Sequence, residues 1–117
     1  RTAEQIQFWE FAHGPDWEEV INADTDMLLR FSERGGDCFS GHLKDIRCPV
    51  LLTGSKFDSS LPGISEQLLE MSKQITNSCL FINHQGWHPL MWSEPLAFRS
   101  VSDYFLDRIL NESGQKE

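Results

Sequence analysis

Asp58 and His88 are the residues whose type and placement best support chemistry in this sequence. Asp58 closely follows one apolar run, in LLTGSKFDSSLP, and His88 follows another, in FINHQGWHPLMW. If both runs are strands of one parallel sheet, their loops lie at the same sheet edge, where functional groups collect. A carboxylate that accepts a hydrogen bond from imidazole Nδ1–H fixes the tautomer of the ring and stabilises its protonated form. The pair would then supply the acid and the general base of a nucleophile–histidine–acid triad.

Both residues also have ordinary structural interpretations, and spacing alone leaves these open. An Asp after a strand commonly forms a turn or caps a helix, and Asp58 could do so for the SSLP segment that follows it. A His in a glycine-containing loop is commonly part of the polar surface.

The two apolar runs predict strands. Residues 50–52 and 79–82 are uniformly apolar and do not alternate with polar residues. This pattern is typical of strands that are buried on both faces, as in parallel sheets. Ser93 is the predicted N-cap of a helix after the second strand, with Pro95 in its first turn. Apolar residues at helical spacing predict a helix between the strands: Ile64, Leu68, Met71 and Ile75. A second set at the same spacing predicts the buried face of the last helix: Phe98, Val101, Phe105 and Ile109.

The first third of the sequence predicts two further helices. Thr2 is the predicted N-cap of a helix through Phe11, and Asp16 is that of a longer helix ending at Gly35 and Gly36. The order helix, helix, strand, helix, strand, helix predicts an α/β fold with a right-handed crossover between parallel strands. Because two parallel strands do not form a stable sheet alone, we expect further strands from another segment. The opening residues, without an initiator Met or signal-peptide features, suggest the middle of a longer chain.

The overall composition excludes several classes of function. The formal net charge is -8 and the sequence pI is about 4.9, which provides no basic surface for nucleic acid or for an anionic membrane. No apolar run is long enough to span a membrane. The cysteines Cys38, Cys48 and Cys79 form no CxxC motif, which favours reduced thiols in a cytoplasmic protein. We expect no metal or cofactor, since the other histidines lack partners at metal-ligand spacing: His13, His42 and His84.

From about residue 43 to residue 110, the sequence resembles the C-terminal third of α/β-hydrolase superfamily enzymes. The resemblance rests on LKDIRCPVLLTGSKFD, on the following LP, and on ITNSCLFINHQGWHPLMWSEPLAFRSVSDYFL. These strings match a family pattern of a strand, an acid, a G-x-H loop, a proline and an amphipathic helix. The resemblance implies that Asp58 is the triad acid and His88 the triad histidine. It also implies that Gly86 is the glycine of the histidine loop and Pro62 the proline that follows the acid.

Two residues depart from the family pattern. Asp58 lies four residues after Gly54, where many members place the acid three residues after the glycine. Trp87 stands where a small residue is frequent before the histidine. Neither departure removes a reacting group.

The nucleophile of such a triad is not evident in this sequence. The superfamily carries it on a G-x-S-x-G strand-to-helix elbow, and no such string occurs here. The nearest imitation, GDCFS, follows a predicted helix instead of a strand, so Cys38 is not assigned as the nucleophile, and neither Ser40 nor Ser55 is favoured. We therefore expect the chain alone to be inactive, with the nucleophile and the oxyanion hole in an upstream segment.

The resemblance also implies a division of the chain. Residues 1–36 correspond to a helical cap-like segment, and residues 37–117 to the C-terminal part of the α/β-hydrolase core. Aromatic residues of the first segment could line an acyl or aromatic substrate pocket, or could simply pack the cap. These residues are Phe8, Trp9, Phe11 and Trp17.

The implied function is hydrolysis of an ester or related bond in a small-molecule substrate, through an acyl-enzyme intermediate. The missing N-terminal portion of the same fold, or a second copy of the chain, is the expected protein partner. Two alternatives remain open at this point. One is a non-catalytic member of the fold that acts as a binding module, and the other is a free-standing interaction domain that dimerises through exposed strands.

Overall fold

The computed structural model describes residues 1–114, which form two compact units. The first unit is Arg1–Ser40, and the second begins at Gly41. Within the described residues, the chain is a mixed α/β protein with five α-helices and a parallel sheet of two strands. None of these helices is long and apolar enough to cross a membrane.

The first unit consists of helices α1 (Ala3–His13) and α2 (Trp17–Glu33), which pack against each other. Thr2 caps α1 as predicted, because its hydroxyl accepts from the Gln5 N–H while the Gln5 side chain accepts from the Thr2 N–H. Asp16 occupies the N-cap position of α2, but its side chain makes no capping hydrogen bond. The prediction of a side-chain cap at Asp16 is therefore wrong, although the helix begins where the sequence indicates.

Two tryptophans join the helices of this unit. Trp9 and Trp17 stack with their ring centroids 5.8 Å apart, and the Arg1 guanidinium lies 5.8 Å from one centroid and 5.9 Å from the other. This is a cation–π contact in addition to ring stacking. Phe8 and Phe11 are exposed within the unit, at 63% and 90% of their surface. The two tryptophans thus pack the helices together, while the assignment of the unit to a cap stays a prediction.

The second unit contains the predicted parallel strands. Strand β1 (Val50–Ser55) and strand β2 (Ser78–Asn83) pair in parallel, with Val50 opposite Ser78 and Ser55 opposite Asn83. Both strands include the predicted apolar runs and extend beyond them. Helix α3 (Ile64–Gln74) connects them and packs on both strands, as the strand–helix–strand pattern requires.

The core of this unit lies between α3 and the sheet. Its buried members are Leu43, Leu52, Leu68 and Ile75. Leu43 belongs to a short 3₁₀ helix, η1 (Leu43–Asp45), which the sequence pattern did not predict. Gly54 permits the close approach of α3, because a Cβ at this position would lie only 2.7 Å from Leu68 Cδ1.

Two helices follow β2, where the sequence predicts one. Helix α4 (Leu90–Ser93) is a single turn, and helix α5 (Pro95–Gly114) packs against both strands. Helix α5 begins at Pro95, so the predicted place of this proline in the first turn is confirmed, but Ser93 ends α4 and is not the N-cap of α5. The predicted inner face of α5 is confirmed, with Phe105 buried and the remaining members half-buried: Phe98, Val101 and Ile109.

Leu68→Ala should destabilise the second unit by about 2 to 5 kcal/mol, because the lost methyl groups leave a cavity between α3 and β1. Leu68 is 7% exposed, whereas its neighbour Leu69 on the same helix is 46% exposed. Leu69→Ala is therefore the matched control, and we expect a change below about 1 kcal/mol for it. Urea denaturation of the three proteins, followed by circular dichroism, measures both values. Equal losses in the two variants would contradict this placement of the core.

Candidate active site

The register of the sheet brings two loops to one edge. Ser55 and Asn83 are paired at the last position of β1 and β2, and the Lys56 N–H donates to the Asn83 carbonyl at 3.1 Å immediately beyond. The segments after both strands therefore begin side by side. Asp58 lies three residues into the first loop and His88 five residues into the second.

Asp58 and His88 meet at this edge. Nδ1 of His88 lies 2.9 Å from Oδ2 of Asp58, although 30 positions separate the residues in the sequence. The predicted juxtaposition is confirmed, and it involves the predicted ring nitrogen. The Asp58 side chain is 4% exposed and that of His88 is 44% exposed. One partner is therefore enclosed by protein, while the other reaches the surface.

The second oxygen of Asp58 organises its own loop. Oδ1 accepts hydrogen bonds from the backbone N–H of Ser60 at 3.0 Å and of Leu61 at 2.9 Å. Asp58 thus performs the turn-forming role that its sequence context suggests and contacts His88 at the same time. The two interpretations of this residue are compatible because each carboxylate oxygen serves one of them.

These contacts favour the ionised form of Asp58. Burial by itself raises the pKa of the carboxyl. The hydrogen bond from the Leu61 N–H, the hydrogen bond and charge of His88, and the Ser60 N–H together outweigh burial and leave the pKa below its ordinary value of 3.8. The site therefore holds a carboxylate anion at neutral pH, as the acid of a triad must be.

The backbone before His88 is tightly confined. Gly86 has a φ of 96°, and a Cβ there would lie 2.7 Å from Glu94 Cγ and 2.8 Å from Ser93 Oγ. Both the left-handed conformation and the close packing require glycine at this position. The Ser93 hydroxyl accepts from the Trp87 N–H at 3.0 Å and donates to the Trp87 carbonyl at 2.9 Å. Ser93, which the sequence indicates as a helix cap, instead holds the residue that precedes the histidine.

The opposite side of the imidazole is open. Within the described residues, Nε2 of His88 makes no hydrogen bond. A cavity of about 150 Å³ adjoins the ring, and most of its lining is apolar: Leu61, Ile64, Leu90, Met91 and Phe98. A second cleft, of about 500 Å³, also has Asp58 in its lining and includes Lys56 and Glu66. His88 and Asp58 thus both border the first cavity, and Asp58 also borders the second cleft.

Within the second unit, the serine candidate Ser55 makes no hydrogen bond to this ring. Ser55 is fully buried and its hydroxyl is bonded to backbone groups of the two loops. Cys38 is exposed in the first unit, and Ser40 adopts a φ of 50° at the end of that unit. Among residues 41–114, no hydrogen bond joins a serine or cysteine side chain to His88.

A second His–Asp pair offers a contrast. Nδ1 of His42 lies 2.8 Å from Oδ2 of Asp45, but these side chains are 74% and 60% exposed. Water competes for such a pair, so it contributes at most about 1 kcal/mol to stability. His13 and His84 are exposed. The described part of the chain contains no group of three His, Cys, Asp or Glu side chains that could hold a metal ion.

No family model matches the chain, and neither a curated protein nor a solved structure matches it. The resemblance to α/β hydrolases therefore stays a prediction that rests on the residues themselves.

The tautomer of His88 should depend on Asp58. In the native protein we expect neutral His88 to carry its proton on Nδ1, because the buried carboxylate accepts it. Asp58→Asn should admit the Nε2–H tautomer, since an amide does not favour a single ring proton position. Long-range ¹H–¹⁵N correlation spectra of the imidazole nitrogens measure this. In the control variant Asp45→Asn, the His88 nitrogens should keep their native chemical shifts. Unchanged His88 shifts in Asp58→Asn would contradict the buried hydrogen bond.

The stability that Asp58 provides should disappear in acid. Since its pKa is lowered in the folded protein, the contribution is fully present above about pH 3.8 and is lost as the pH falls through the lower folded value. Asp58→Asn should therefore lower the free energy of unfolding at neutral pH. The difference in this free energy between the variant and the native protein should become smaller below pH 3.8. Denaturation midpoints of both proteins between about pH 2 and pH 7 test this. A stability difference that stays constant over this pH range would contradict the lowered pKa of Asp58.

Proposed function

We propose that Asp58 and His88 are the acid and the general base of a serine-type α/β hydrolase that cleaves an ester or related bond. The observation that carries the proposal is the hydrogen bond of 2.9 Å from the half-exposed ring of His88 to the buried carboxylate of Asp58. Because this bond uses Nδ1, Asp58 does not engage Nε2, and His88 is among the residues that line the cavity of about 150 Å³. This is the arrangement required of a ring that must take a proton from a nucleophile.

The chemistry follows from the two ring nitrogens. With its proton on Nδ1 bound to Asp58, His88 presents the lone pair of Nε2. Nε2 takes the proton of the nucleophilic hydroxyl as its oxygen bonds to the acyl carbon, and then gives that proton to the leaving alkoxide. In the second half of the reaction, Nε2 takes a proton from water, whose oxygen displaces the enzyme from the acyl group, and returns the proton to the nucleophile. Asp58 remains ionised throughout and holds the ring in place.

The recess beside His88 supports an apolar substrate group. The side chains of Leu61, Met91 and Phe98 line it, and its volume of about 150 Å³ suits a short acyl or alkyl chain. The acidic character of the chain, with a net charge of -8, opposes anionic substrates. A neutral small ester is therefore the proposed substrate class, and no metal or cofactor enters the proposed reaction.

The nucleophile and oxyanion donors are proposed to come from another segment of the same fold, or from a second copy of the chain. The sheet supports this part of the proposal. All six residues of β2 are only partly buried, and the described residues add no third strand to either edge of the sheet. Parallel strands are normally covered on both faces and joined by further strands. A partner that completes the sheet would bring additional loops to the edge where His88 lies.

His88→Ala should lower kcat by about 10⁴-fold in the protein that contains both this chain and the nucleophile-bearing segment, because the proton acceptor is lost. His84→Ala is the matched control, since His84 lies in the same loop, is exposed and has no role in the proposed reaction. Hydrolysis of nitrophenyl acetate and nitrophenyl butyrate measures both variants, with thermal unfolding recorded alongside.

Two results would overturn the proposed function. Full activity of His88→Ala would place the general base elsewhere. The second result is ester hydrolysis by the 117-residue chain alone, with the activity abolished by Cys38→Ala. It would make Cys38 the nucleophile, and the reaction would no longer need the upstream segment.

A further inference from the structure

Ser55 is the most deeply buried polar residue beside the dyad, with only 1% of its surface exposed. It lies at the last position of β1, three residues before Asp58. Its hydroxyl is not directed at the histidine ring. It is bonded instead to the backbone of both loops that carry the dyad.

One oxygen atom joins these loops. Ser55 Oγ donates to the Gly86 carbonyl at 2.6 Å, and the Gln85 carbonyl lies within reach at 3.1 Å. The same Oγ accepts from the Phe57 N–H at 3.2 Å. Phe57 directly precedes Asp58, and Gly86 lies two residues before His88. The bridge therefore connects the backbone next to the acid with the backbone next to the base.

Only a hydroxyl satisfies this position. The group must be a donor to the histidine loop and an acceptor from the acid loop, in a volume with almost no access to water. Without it, the Gly86 carbonyl and the Phe57 N–H would each lose their hydrogen bond to Ser55, which is unfavourable. The Gln85 carbonyl depends less on the Ser55 hydroxyl, because the Asn83 side-chain amide also donates a hydrogen bond to it at 3.0 Å.

We infer that Ser55 is a positioning residue, whose hydroxyl sets the separation of the acid and histidine loops so that Asp58 and His88 stay in hydrogen-bonding contact. The inference rests on the proposed function for its catalytic consequence, but the geometric part stands independently of activity. A shift of one loop by about 1 Å would break the dyad bond, since hydrogen bonds weaken steeply beyond their normal distance.

The matched control is Ser78. Its hydroxyl also bonds two backbone carbonyls, those of Ser72 and Ile75, and it is part-buried at the first position of β2, far along the strand from the dyad. Ser78→Ala thus removes the same chemical group and the same number of carbonyl contacts. It leaves the two loops at the carboxyl edge untouched.

The readout is the tautomer of neutral His88 in ¹H–¹⁵N spectra, with exposed His84 as the internal reference. Ser55→Ala should lose the single Nδ1–H tautomer, so that the His88 shifts move toward those of His84. Ser55→Thr, which retains the hydroxyl, and Ser78→Ala should both preserve it. In the protein that contains the nucleophile, Ser55→Ala should also lower kcat about 10- to 100-fold with little change in KM, because geometry and not binding is affected.

A single His88 tautomer retained in Ser55→Ala would overturn the inference, as would its equal loss in Ser78→Ala. If Ser55→Ala fails to fold, the same measurement is made on Ser55→Cys, because the thiol is of similar size but is a weak hydrogen-bond donor. Retention of the tautomer in that variant would also overturn the inference. Loss of the tautomer in a protein whose native form shows no esterase activity would support Ser55 as a positioning residue and contradict only the proposed function.

Discussion

The parallel pairing of β1 with β2, in the register that sets Ser55 opposite Asn83, is the constraint on which the site depends. It makes both strands end at the same level, so the loops that follow must leave the sheet together. A shift of one residue would exchange the faces of a strand and move Asp58 away from His88. The register is fixed in turn by the apolar side chains that α3 covers, with Gly54 allowing the helix to approach.

A buried charge is tolerated at this edge because each of its oxygens is satisfied. An ionised carboxylate away from water is unfavourable unless it is paired and hydrogen-bonded. Asp58 receives two backbone N–H groups at one oxygen and His88 at the other. The exposed His42–Asp45 pair has a similar distance but lacks this enclosure. Burial and the surrounding donors, rather than the His–Asp contact alone, distinguish the candidate site.

The second unit carries the proposed acid and base on a sheet of two strands. A parallel sheet that carries a complete triad normally has more strands than this. A complete triad needs a nucleophile and oxyanion donors placed to within fractions of an ångström. The described residues supply the proposed acid and base and an apolar recess, and they hold the loop that carries His88 through Gly86 and Ser93. The proposal of a completing segment thus follows from the same sheet edge that positions the dyad.

The sequence pattern alone predicts both strands, most of the helices and the two residues that meet at the sheet edge, but not η1 or the division between α4 and α5. Capping by Thr2, the two strands and the inner face of α5 depend on neighbours within a few positions, so pattern reveals them. The lack of a side-chain cap at Asp16, the actual place of Ser93 and the bridge at Ser55 could not be read in this way. Each depends on which backbone groups lie within about 3 Å after folding, and such contacts join residues as much as 31 positions apart. These contacts are settled on folding, because a hydroxyl or carboxylate has many possible partners nearby in the sequence and a unique set in the folded chain.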